Sequence, residues 1–177
     1  MAALMGEVGD ASEIAVVESL ETLFRVHYPR LVRALTVVSG SQESAADAVQ
    51  EAFVKAHLHW RRIERYDDPV GWIRRVAINR LRDDHRRSGR KDKALDRLKP
   101  DARPDDVQWS DGVDVTTMLA ELPRQQRLAM ALFYVDGLSV AEVATTLKLS
   151  EGAVKFHLHR GRDRLRGVFA AHQGAVE

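Results

Sequence analysis

Apolar residues along this chain recur at spacings of three and four, and nowhere do they alternate over the length of a strand. Helix is therefore the regular structure open to it, and an all-α fold is expected. Leu20, Leu23, Phe24, Leu31 and Leu35 predict a first helix over about 13–38, with Pro29 as a break or kink. Ser44 followed by Asp47 reads as a capping box for a second helix over 45–61, with Val49, Phe53, Ala56 and Trp60 on one side. The pattern lapses over 62–67. Asp68-Pro69 then restarts it, Asp as N-cap and Pro at the first helical position. This third helix is expected to reach about Arg87, with Val70, Ile73, Ala77 and Leu81 inward.

Between about Ser88 and Asp114 the helical pattern gives way to Gly89, Pro100, Pro104 and Gly112 in a polar, acidic run, with a short helix expected near 94–98. A second periodic block follows. The expected organisation is an N-terminal extension over 1–17, a helical domain over 18–90, a flexible acidic linker over 91–112 and a second helical domain over 113–172. A linker of about 20 residues spans about 60–70 Å when extended, enough to place two small domains far apart on one large partner.

Charge is segregated along the sequence although the net value is only +1. Lys and Arg dominate 55–93 and again 148–167, while 1–24 and 101–121 are acidic, so two separate places can meet a polyanion. With no cysteine, a disulfide frame, a thiolate metal site and a cysteine nucleophile are excluded. No basic segment followed by an apolar run opens the sequence, and no stretch reaches the ~18 apolar residues of a membrane span. A soluble cytoplasmic protein without membrane insertion is expected.

Residues 138–165 form the most specific local pattern. Ser139 with Glu142 caps a short helix, Lys148-Leu149 turns the chain, and Ser150 caps a long one: a helix-turn-helix. Val154, Leu158, Gly161 and Leu165 make the inner stripe of the second helix. Its outer side presents Lys155, Phe156, His159, Arg160 and Arg162, with Ser150 and Gly152 at the N-terminus. Such a helix suits the major groove, where Lys and Arg meet guanine edges and an aromatic ring meets a thymine methyl. Phe156 can alternatively pack on a neighbouring helix or a protein partner.

The third helix carries a second stripe, Trp72, Arg75, Asn79, Arg82 and Arg86, at spacings of three and four. Arginines for phosphates, an amide for base edges and a ring for stacking suit single-stranded DNA, and Tyr66 in the preceding loop can join them. Trp72 reads equally well as core.

At this point the residues resemble a known family. The run Asp47-Ala-Val-Gln-Glu-Ala-Phe-Val-Lys-Ala with Trp60 resembles the helix by which sigma factors grip the polymerase clamp. Gly71-Trp-Ile-Arg-Arg-Val-Ala-Ile-Asn-Arg-Leu-Arg-Asp resembles their strand-separating, minus-ten-reading helix. Leu122-Pro-Arg-Gln-Gln-Arg, Leu138-Ser-Val-Ala-Glu-Val-Ala and Ser150-Glu-Gly-Ala-Val-Lys-Phe-His-Leu-His-Arg-Gly-Arg resemble their minus-thirty-five-reading domain. Order and spacing are similar to those of the extracytoplasmic-function sigma factors of the sigma-70 family. The resemblance implies sigma domains 2 and 4, and as partners core RNA polymerase (clamp helices and flap), promoter DNA and an anti-sigma factor. It makes Asp47, Gln50, Glu51 and Phe53 candidate polymerase contacts, with Phe53 alternatively a core residue. Lys148 stands where the family usually has Gly, and Phe156 and His157 replace smaller or basic residues.

An enzyme is the first rival reading. His57 and His59, like His157 and His159, lie two apart on helices and so point to different sides, and no phosphate loop, metal motif or nucleophile elbow is present. Neither catalysis nor a cofactor is expected. The second rival is a helix-turn-helix regulator that binds duplex DNA without polymerase.

Overall fold

The computed structural model describes residues 19–95 and 115–173, and all regular structure within them is helical. The expected extension over 1–17 and the linker positions 96–112 lie outside the described residues. So does most of the short helix expected near 94–98.

Helix α1 (Leu20–Ser39) starts at Ser19, whose Oγ accepts the Thr22 N–H at 3.2 Å. Pro29 sits inside it without ending it. The ring faces solvent, while Leu23, Leu31 and Leu35 bury their side chains on either side. Each buried leucine is worth about 1.5–3 kcal/mol, enough together to outweigh the ~3 kcal/mol a helical proline costs. Gly40, at φ 73°, turns the chain out of α1. Helix α2 (Gln42–Leu58) opens directly afterwards, capped by Ser41, whose Oγ accepts the Ser44 N–H at 3.2 Å. Ser44 is therefore a first-turn residue and not the cap, because the chain leaving Gly40 re-enters helix at once. A single turn, α3 (Trp60–Ile63), buries Ile63.

Asp68 Oδ1 accepts the Gly71 N–H at 2.7 Å, and α4 runs Pro69–Leu95. It continues past the expected end near Arg87, so 91–95, assigned from sequence to the linker, are helical. Gly89 lowers helix propensity by only about 1 kcal/mol, and strong helix formers surround it.

The second half comprises α5 (Val115–Ala120), α6 (Arg124–Met130) running on as one π-helical turn over Ala131–Val135, α7 (Val140–Leu147) and α8 (Glu151–Gln173). Gly137, at φ 78°, closes the π turn. Gly161 brings α8 onto α6: a Cβ there would stand 2.9 Å from Met130 Cγ.

The two halves do not stand apart. Leu31, Leu35, Val49 and Ile73 of the first and Leu122, Leu128, Leu132 and Val143 of the second belong to one continuous buried cluster. Helix α1 is the shared wall, packed on α2 and α4 by one side and on α5, α6 and the π turn by another. Sequence alone pointed to two tethered bodies, since a periodic stripe shows that a helix face is buried but not what covers it.

Candidate nucleic-acid interface

The helix-turn-helix is built locally. Ser139 Oγ accepts the Glu142 N–H at 3.3 Å while the Glu142 carboxylate accepts the Ser139 N–H at 2.8 Å, a closed capping box. The Ser139 hydroxyl and backbone hold the Glu142 carboxyl below its ordinary range, against a smaller opposing effect of burial. Lys148 ends α7 in the left-handed region (φ 57°, ψ 46°), a conformation that favours glycine. The turn is thus made with a residue that has a Cβ in a backbone conformation that disfavours one. Ser150 Oγ then accepts the Ala153 N–H at 3.1 Å and α8 begins.

Val154, Leu158 and Gly161 are buried, and Leu165 is half-buried behind them. This leaves Ser150, Gly152, Lys155, Phe156, His159, Arg160 and Arg162 all exposed along one side of α8. Phe156 is 56% exposed and lies outside the apolar cluster, so it is free to meet a ligand. Arg160 stacks its guanidinium over the ring at 5.6 Å from the centroid. Neighbouring charges are steered: Lys155 Nζ is 3.9 Å from Glu151, His159 Nδ1 is 2.7 Å from Asp163, and Arg162 donates to the Tyr134 hydroxyl at 3.2 Å.

On α4 the predicted stripe is solvent-facing for Asn79 and Arg86 and half-buried for Trp72, Arg75 and Arg82. Trp72 is partly buried and packs against the core cluster. Tyr66, before the helix, is 37% exposed. Arg74, next in sequence to the stripe, turns inward instead and pairs with Asp136 of the second half.

The candidate polymerase contacts divide. Asp47 and Gln50 face solvent. Glu51, its side chain 37% exposed, pairs with Lys55 at 2.8 Å and with Arg80, which also pairs with Asp84. Lys55 first and then Arg80 keep the Glu51 carboxyl below its usual range despite some burial. Phe53 is only 5% exposed and stands edge-on to Phe24 at 5.0 Å, so it supports that face from below. The exposed apolar surface belongs to Phe24 and Val54, which with Tyr28 and Gln50 line a groove between α1 and α2. Sequence reasoning set Phe24 in the apolar stripe of the first helix and did not single out Val54, whereas the structure leaves both exposed.

Comparison with known proteins follows the same division. Residues 23–91 match the family described as Sigma-70 region 2, and residues 113–165 match Sigma-70, region 4. The chain is 33% identical over 168 residues to the ECF RNA polymerase sigma factor SigE of Mycolicibacterium smegmatis, covering 89% of this chain and 64% of that protein. It is 34% identical over 156 residues to the ECF RNA polymerase sigma factor SigM of Mycobacterium tuberculosis, covering 83% of this chain and 75% of that one. Among solved structures, the sigma factor RpoE in complex with the anti-sigma factor NepR, from Bartonella quintana, superposes with a TM-score of 0.73 at 21% identity, over 85% of this chain and 96% of that one. CnrH, solved with the cytosolic domain of CnrY, gives a TM-score of 0.61 at 25% identity, over 86% and 88%. With both regions matched in order and a third of the residues shared with such relatives, the chain belongs to the ECF sigma factors of the sigma-70 family.

Proposed function

We propose that this sigma factor works in the cytoplasm as a promoter-specificity subunit that acts by binding and has no catalytic activity of its own. Asp47 and Gln50, with the aromatic groove of α1 and α2 beside them, take the clamp helices of core RNA polymerase, and the second half meets the flap. Helix α8 reads the upstream duplex element through Lys155, Phe156, His159 and Arg160. Helix α4 offers Trp72, Arg75, Asn79, Arg82 and Arg86 to the unpaired strand of the downstream element.

One observation carries this reading: a single chain presents two DNA-type faces of different chemistry. Helix α8 has an exposed basic and aromatic side at its N-terminal end, as a duplex reader needs. Helix α4 has arginines, an amide and a half-buried indole, as a single-strand platform needs. A regulator acting alone has use for only the first. By the same reading an anti-sigma protein, the kind of partner named with RpoE, would cover these faces.

The discriminating experiment is a gel-shift series at physiological salt. This chain alone is expected to bind promoter duplex weakly, and to shift it specifically only when core polymerase is present. Tight sequence-specific binding without polymerase would favour the lone-regulator reading instead.

A further inference from the structure

The ion pair between Arg74 and Asp136 joins positions 62 residues apart and lies at the seam between the two halves. Arg74 Nε donates to Asp136 Oδ2 at 2.6 Å, and the two side chains are only 6% and 1% exposed. The second oxygen of Asp136, Oδ1, is buried with no hydrogen-bond partner in the structure. Glu142, at the start of α7, also feels the Arg74 charge. One arginine of α4 therefore pairs with a carboxylate of the helix-turn-helix half.

Resting on the promoter reading above, this closed arrangement cannot serve both elements. Elements named for positions ten and thirty-five lie about 25 base-pair steps apart, about 85 Å at ~3.4 Å per step. A compact chain of 177 residues has a radius of gyration of only about 16 Å. The halves must separate for α4 and α8 to reach their elements together. We propose that the closed packing is a resting state of this sigma factor and that Arg74–Asp136 is the latch that selects it.

The physics of the pair suits a latch. A buried ion pair gains little over two hydrated charges, so it fixes which surfaces meet without making the union permanent. Opening returns both charges to water and satisfies the orphan Oδ1. Closure is also opposed from within the seam. Arg124 of α6 holds its proton less firmly than usual, through burial first and then through the nearby positive charges of Arg82, Arg86 and Arg127. Two of those four arginines belong to the single-strand stripe of α4, so closing the halves crowds like charges beside the face that must later take DNA.

The test uses the absence of native cysteine. Cysteines introduced at Gln42 and Arg166, both exposed and one in each half, carry a fluorescence energy-transfer pair on the full chain. Arg74→Ala or Asp136→Ala leaves the other charge buried and unpaired when closed, and is expected to shift the open-to-closed ratio about a hundredfold or more. The double change Arg74→Met with Asp136→Leu keeps the seam filled and apolar, and is expected to hold it closed. Run-off transcription with core polymerase should then move in opposite directions, up for the single variants and down for the Met/Leu pair. General damage to the fold cannot raise one and lower the other, and thermal melts of each variant check folding.

The latch is overturned if the single variants keep the parent's transfer efficiency. It is also overturned if they open but transcribe no better, or if the Met/Leu pair transcribes as the parent does. A parent that directs no transcription at all would sink the promoter reading, and energy transfer would still decide whether the pair holds the halves together.

Discussion

Phe156 is a large apolar side chain left exposed on the outer side of α8, with Arg160 stacked over its ring. Sequence placed it on the outer side, open to a groove, a neighbouring helix or a protein partner, and the structure leaves the ring outside the apolar cluster. If it meets a thymine methyl, replacing that thymine by deoxyuracil removes about one methyl's burial, ~0.8 kcal/mol, or about fourfold in binding by the polymerase complex. The same replacement should cost nothing with Phe156→Ser, and an equal loss for both proteins would show that the ring is elsewhere. Lys155→Ala and Arg160→Ala are expected to cost more, about 1–3 kcal/mol each if the contact is bidentate to a base. The structure places Lys148 in the left-handed region, where glycine fits without strain. Lys148→Gly should stabilise the helix-turn-helix by up to about 1 kcal/mol, read from the urea midpoint.

Helix α4 shows what a periodic pattern carries and what it loses. The stripe from Trp72 to Arg86 was legible because spacings of three and four fix which side chains share a face. Its length was not, since ending a helix at Gly89 rests on a weak propensity difference. Asn79, fully outside the core, gives the clean test of strand capture: Asn79→Ala should leave closed-complex formation intact and slow opening about five- to hundredfold. A premelted bubble template should restore most of that loss, because the unpairing energy is then already supplied. Permanganate reactivity of promoter thymines would report both, and a defect equal on duplex and bubble would contradict the assignment.

Helix α7 carries a different prediction. Its capping box keeps the Glu142 carboxyl depressed, so that contribution is present above the unfolded pKa and is lost as pH falls through the lower folded value. The stability advantage of the parent over Glu142→Gln should therefore hold at pH 7 and be lost in acid, as the pH falls below the ordinary glutamate range. Urea midpoints across that range check it.

For the whole molecule, the two families of helices and their order were legible, because caps and periodicity are local. Their packing into one closed body was not. No spacing rule connects Arg74 with Asp136, and nothing in the stripe of α1 tells whether its second wall faces water or another helix bundle.

The central claim, that the chain directs core polymerase through two distinct DNA faces, is tested most directly by transcribing fragmented genomic DNA with purified core polymerase and sequencing the new RNA starts. The expected result is a set of starts present only when this chain is added, sharing one duplex element upstream and a melted element downstream at a fixed spacing. Starts unchanged by the chain, or new starts with a single shared element, would contradict it.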